Sequence, residues 1–273
     1  MIADTDSVDL PSGVLLREGR LEDIVRGDSW ALNGSGAFVL GRVGCPLGMI
    51  VRELSDAFEL PLEAARLDVL RFAWALNTLA LVNIVQRGPR IRRLADWVAL
   101  ALRLAPAGAF PIPLARRHSL DTRSVPRALA SALTAAGPRI AIVALLATAV
   151  ALQLAAVAGA TGSVFLLAMA LGAGTGIGLG LHEAGHVASL RGVPSALVLR
   201  GRRTFVLHAP VGERRRALVA LCGPGVVVMV GLAFVVSGVA IGTPGLVILG
   251  LPLTAHALSL TMIGGDGRVA CGI

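Results

Sequence analysis

Two long stretches of this chain carry no charge. Residues 140–181 contain no Asp, Glu, Lys or Arg, and neither do residues 217–265. A helix needs about 20 apolar residues to cross the roughly 30 Å hydrocarbon core of a bilayer. No water reaches an open backbone there, so a spanning segment must be a helix or part of a closed barrel. Each stretch has room for two helical spans. The one break in the first, at 159–163, predicts a tight hairpin between span 1 (about 140–160) and span 2 (about 163–190). In the second, 242–245 with Pro244 divides span 3 (about 217–241) from span 4 (about 244–263). Only 15% of the residues are charged, against roughly 25% in soluble domains.

The net charge of +8 is unevenly spread. Residues 1–86 hold 7 Arg against 12 acids, residues 87–139 hold 10 Arg against 2, and residues 140–273 hold 8 Arg against 3, with no lysine anywhere. The basic excess sits beside the spans, where arginine sets topology or meets anionic lipid. It is not the footprint of a nucleic-acid-binding domain. Arg139 precedes span 1, Arg191, Arg200, Arg202, Arg203 and Arg214 to Arg216 lie between spans 2 and 3, and Arg268 follows span 4. The other two loops are uncharged. The positive-inside rule then places that side, and both termini, in the cytoplasm. The expected location is the inner (cytoplasmic) membrane, multi-pass. The opening MIADTDSVDL has neither a basic start nor an apolar core, so no signal peptide is expected. Cys45, Cys222 and Cys271 are far apart with no CxxC, which implies neither a disulfide framework nor a cysteine zinc site.

Residues 1–86 read as a small domain outside the membrane. Strand-like runs occur at 14–16 and 30–32. The segment 47–58 puts Leu47, Ile50, Val51, Leu54 and Phe58 on one helical face. A second helix is expected over about 61–82, with Glu63 in its first turn and Leu67, Leu70 and Trp74 inward. Strands followed by packed helices suggest an α+β, winged-helix-like unit. Residues 87–137 form an Arg- and Pro-rich connector. Its apolar stretch LADWVALALRLAPAGAF carries Asp96 and Arg103, which suits an interfacial helix better than a span.

One constellation carries chemistry. Span 2 ends in GLGLHEAGHVASL, where His182 and His186 are four apart and share a helical face. Two imidazoles so spaced can ligate one Zn²⁺, with Glu183 as general base toward water. Ionisable groups at the end of an uncharged span call for a functional reason. Catalytic zinc usually takes three protein ligands. The only acid after Glu213 is Asp266, in GGDGR just past span 4. The topology puts the ends of spans 2 and 4 on one side of the bilayer, so the histidines and Asp266 can meet. His256 lies ten residues earlier, about 15 Å along a regular helix. It is an alternative ligand, a substrate-contacting residue, or a histidine bonded to a neighbouring helix. His118 and His208 fall in loops and carry no expectation of function. The glycines at 172, 174, 176, 178 and 180 permit close helix approach or leave room for substrate.

The HEAGH in a membrane helix, the Gly223-Pro224-Gly225 of a later helix and the terminal Asp266-Gly267 resemble the site-2 protease family of intramembrane zinc metalloproteases. The resemblance covers about residues 140–270. It implies His182, His186 and Asp266 as zinc ligands, Glu183 as the catalytic base, and Gly223, Pro224, Gly225 and Gly267 as structural motif positions. Residues 193–210 look like the family's membrane-associated β segment, which could hold a substrate as an added strand. Two departures stand out. The family's Asn and Pro before Asp-Gly are replaced by Ser259-Leu260-Thr261, and the chain ends seven residues after Asp266.

Residues from about 10 to 86 resemble the PqqD-like domains that recognise leader peptides of ribosomally made, modified peptides. The similar stretch is ALNGSGAFVLGRV followed by IVRELSDAFELPLEAARLDVLRFAWALNTLALV, although Gly44-Cys45-Pro46 stands where Asp-Gly is usual. The rival reading is a winged helix used for DNA or for simple domain packing; the acidic balance disfavours DNA.

The expected architecture is a membrane α-helical core of about four transmembrane helices (138–273), the connector (87–137) and the small N-terminal domain (1–86). The expected activity is zinc-dependent cleavage of a peptide or membrane-associated protein near the cytoplasmic interface. The substrate of choice is a precursor of a modified peptide, with peptide-modifying enzymes or an exporter as further partners. The alternatives are regulated proteolysis of a signalling protein, or a non-catalytic membrane adaptor that binds a peptide.

Overall fold

The computed structural model describes residues 2–89, 91, 95, 98–100, 113–159, 162–201 and 203–260. The chain forms two units. The first comprises Met1–Ser119 with Ser195–Ala209, and the second Leu120–Pro194 with Pro210–Ile273.

In the first unit, β1 (Ser7–Asp9) pairs antiparallel with β5 (Asn83–Val85), and β2 (Val14–Arg17), β3 (Arg20–Asp23) and β4 (Asp28–Ala31) form a meander. Between these strands lie α1 (Gly34–Leu40), α2 (Leu47–Ala57) and α3 (Leu62–Thr78). Asn33 caps α1 by accepting the Gly36 N–H at 2.8 Å. The face of α2 is the one its periodicity predicts, with Leu47, Ile50, Val51 and Leu54 buried. Phe58 departs from it: it is the C-cap residue and stands exposed.

The inward face of α3 differs from expectation. Ala65, Val69, Ala73, Leu76 and Asn77 are buried, Leu67 is exposed, and Leu70 and Trp74 are half-buried. Two alanines on that face allow close packing, which favours it over the row of larger side chains. The helix also stops at Thr78, before the expected 82. Ala80 turns with φ +56° and the chain enters β5.

The carbonyls at this helix end are satisfied by arginines. Arg26 donates to Leu79 O, Arg117 to Ala80 O, and Arg200 to Asn77 O and Thr78 O. Cations there also complement the helix dipole. A third sheet, ordered β6 (Ala115–Leu120), β7 (Ser195–Arg200) and β8 (Arg203–His208), contains a hairpin within 193–210, where a β segment was expected. Asn77 binds the Ala115 strand residue through both its N–H and its C=O, and Ala80, Ala115 and Val198 share a small core.

Arg117 and Asp23 make the deepest polar contact of this unit. The guanidinium meets the carboxylate through two 2.7 Å hydrogen bonds, with both side chains fully buried. Burial alone would raise the Asp23 carboxyl. The hydrogen bonds and charge of Arg117, with the Arg26 N–H and charge, outweigh it, and Asp23 sits below its ordinary value.

The second unit contains α4 (Val125–Val157), α5 (Gly162–Ser189), α6 (Glu213–Ala240) and α7 (Pro244–Thr254), the last followed by a 3₁₀ turn, Ala255–Leu260. The first three helices are long and apolar enough to cross a membrane. Leu145, Leu146, Val157, Met229 and Val239 stand well exposed on them, a surface suited to lipid. Gly159 (φ +67°) and Gly242 (φ +66°) stand at the two turns foreseen from the sequence. The fourth stretch differs from a regular span over 244–263. Its α-helix holds only 11 residues before winding tightens to 3₁₀, and 261–263 lie outside the described residues. Most of the connector's apolar stretch, including Asp96 and Arg103, also lies outside them.

Candidate metal centre

His182, Glu183 and His186 occupy the last two turns of α5. The helix end is pinned from several sides. Arg215, in the first turn of α6, donates to Arg191 O at 2.7 Å and to Ser189 O. Gly192 turns with φ +73° and donates to Thr122 O, while the Thr122 hydroxyl donates to Val193 O, both at 2.8 Å.

Nε2 of His182 and Nε2 of His186 lie 3.1 Å apart, with the ring centroids 4.7 Å apart and nearly perpendicular. Nδ1 of His186 is 2.7 Å from Val219 O on α6. A carbonyl only accepts, so that nitrogen carries the proton, and in the neutral ring Nε2 keeps its lone pair. On the other side of the His182 ring, its Nδ1 lies 3.2 Å from Nδ1 of His256.

The glycines of α5 serve close approach. A Cβ at Gly172 would overlap Thr148 of α4, and one at Gly174 would overlap the Leu249 carbonyl of α7. At Gly185, inside HEAGH, it would overlap the Cys222 carbonyl of α6. At Gly223 it would fall on the His186 ring. The Gly-Pro-Gly segment is therefore the surface on which the second histidine rests. Pro224 is buried beside it, while among the described residues nothing beyond the adjoining helix backbone lies within 4 Å of the Cβ position of Gly225.

Arg139 of α4 interacts electrostatically with Glu183, and its Nη1 is buried without a hydrogen-bond partner among the described residues. Read from the chain alone, Arg139 had only a topological role. A signal was available: it lies 20 residues before the Gly159 turn and Glu183 lies 24 after it, so an antiparallel hairpin brings them to similar depth.

The donor set fits zinc at two positions. Ligands at 2.0–2.1 Å in tetrahedral array lie about 3.3 to 3.4 Å apart, close to the separation of the two Nε2 atoms. Among the described residues, no group of three His, Cys, Asp or Glu side chains is arranged to hold a metal ion. Asp266 and Gly267 lie outside those residues. His118 belongs to β6, where burial, then the Arg116 charge, pushes its imidazole below the ordinary value. His208 ends β8, with Nδ1 2.8 Å from Ala209 O. Neither falls in the unit that carries His182.

No family model, curated protein or solved structure matches this chain.

Proposed function

We propose that this chain is an intramembrane zinc metalloprotease of the site-2 protease type. On this reading it sits in the inner membrane with about four spans and cytoplasmic termini, and cleaves a peptide or membrane-associated protein near the cytoplasmic interface. The observation that carries the proposal is the convergence of His182 Nε2 and His186 Nε2 on one point at the end of an apolar helix, with Glu183 between them in sequence. On this reading His182, His186 and Asp266 would hold zinc, which when bound would supply Lewis acidity toward the scissile carbonyl and a more acidic water.

The chain's own groups do the rest. Val219 O fixes the His186 tautomer. Glu183 takes a proton from the attacking water and delivers it to the leaving amine. Arg139 offers a buried N–H donor beside that base, suited to a substrate carbonyl. The N-terminal unit supplies peptide capture of the PqqD-like kind, which points to a precursor of a modified peptide as substrate, with peptide-modifying enzymes or an exporter as partners. Its three-stranded meander leaves β2 and β4 as edges to which a strand can add.

The test is Glu183→Gln in full-length protein reconstituted with a membrane-associated precursor peptide, with cleavage followed by mass spectrometry. The proposal expects zinc retained and cleavage abolished. Cleavage persisting in the variant removes Glu183 from the mechanism, and a metal-free wild type turns the reading toward a peptide-binding adaptor.

A further inference from the structure

Given the zinc-site reading above, on which this step rests, the geometry points to His256 as the positioning residue for His182, acting behind that ligand. Its Nδ1 faces the Nδ1 of His182 at 3.2 Å, with ring centroids 5.0 Å apart and planes inclined by 36°. The pole of His182 that converges with His186 is Nε2, on the other side of the ring. If Nε2 of His182 gives its lone pair to a metal, its proton must sit on Nδ1, and Nδ1 of His256 accepts it. The two ligands then have matching support: His186 donates to the Val219 carbonyl of α6, and His182 donates to the imidazole that follows α7.

The fold is built to present that imidazole. Winding tightens to 3₁₀ at Ala255, and the Ser259 hydroxyl donates to His256 O at 2.7 Å. Opposite stands Gly178, where a Cβ would lie 3.1 Å from His256 Nε2 and 3.4 Å from Cδ2. A side chain at 178 would press on the ring. The glycine of α5 facing this turn therefore leaves room for the histidine.

Partners of this sort orient metal-bound histidines, and their loss typically weakens metal binding about 10- to 100-fold. The experiment measures Zn²⁺ affinity by chelator competition and the visible absorption of Co²⁺ in the full-length protein in detergent. Wild type, His182→Ala, His256→Ala, His256→Asn and His256→Gln are compared. Asn places its carbonyl oxygen near the Nδ1 position and Gln near Nε2, so only Asn restores the acceptor.

The expected result for His256→Ala is one metal per chain with the wild-type Co²⁺ band intensity and an affinity lower by roughly 10- to 100-fold. His256→Asn recovers most of the loss and His256→Gln does not. Wild-type affinity in His256→Ala, with binding lost in His182→Ala, overturns this inference and leaves the zinc site standing. Complete loss in His256→Ala that Asn does not restore, with a changed Co²⁺ spectrum in the Asn variant, makes His256 a ligand and also overturns it. A wild type that binds no metal, or a His182→Ala variant that binds as wild type does, overturns the underlying reading itself.

Discussion

Gly185 of the HEAGH turn and Gly223 of the Gly-Pro-Gly segment lie in backbone contact: a methyl on Gly185 would overlap the Cys222 carbonyl and approach the Gly223 Cα at 2.8 Å. A methyl on Gly223 would strike the His186 ring at the nitrogen that faces His182. The two motifs are thus halves of one packing contact, and the histidine is oriented by the fit.

Gly223→Ala is therefore predicted to damage the site more than its size suggests. Overpacking typically costs about 1–3 kcal/mol, and here the displaced group is His186. Zinc affinity and thermal stability of the detergent-solubilised protein should both fall. Gly225→Ala, with nothing beyond the adjoining helix backbone within 4 Å of its Cβ position among the described residues, should leave zinc affinity unchanged. Equal effects of the two variants would contradict the packing account.

Arg139→Met should keep its zinc and lose activity. Its Nη1 has no hydrogen-bond partner among the described residues, and its charge acts on Glu183. Removing one preorganised donor from a reacting carbonyl typically costs roughly 100- to 1,000-fold in turnover. Unchanged cleavage of the reconstituted peptide, at unchanged zinc content, would confine Arg139 to topology.

The buried Arg117–Asp23 pair gives a prediction for the first unit. Removing one partner of such a pair costs about 3–5 kcal/mol, whereas an apolar pair of similar volume is often neutral. Asp23→Leu and Arg117→Met should each destabilise the unit strongly, and the double variant much less. Trp30, Trp74 and Trp97 are the only tryptophans and all precede residue 119, so tryptophan fluorescence during unfolding reads this unit alone. Additive losses would exclude the coupling.

The same pair sets an acid dependence. Asp23 is held below its ordinary value of 3.8. A carboxyl depressed in the folded state contributes its full stability above the unfolded pKa and loses it as pH falls through the folded one. Unfolding followed by tryptophan fluorescence should show stability lost on acidification below about pH 4, with a smaller loss in the double variant. Equal pH profiles for the two proteins would contradict this.

The sequence disclosed what charge and periodicity encode. The uncharged runs became three long helices with turns at Gly159 and Gly242. The spacing of His182 and His186 became a pair of converging nitrogens. The buried face of α2 followed its 3.6-residue repeat, apart from the exposed Phe58. Hidden from the sequence were features set by tertiary fit. On α3 the small residues Ala65 and Ala73 face inward while Leu67 faces out, because close approach outweighed side-chain size. The 3₁₀ winding after Thr254 was not foreseen, and of the three readings open for His256 the chain alone did not single out the contact with His182 at 3.2 Å. Arg139 read only as a topology signal, although its spacing from the Gly159 turn, 20 residues against 24 for Glu183, was legible in the chain.

The zinc content of the full-length, detergent-purified protein, measured by mass spectrometry beside His186→Ala, decides whether the paired histidines hold a metal. About one zinc per chain is expected in the wild type, and its loss in the variant. A metal-free wild type, or equal zinc in the two proteins, would contradict the zinc site.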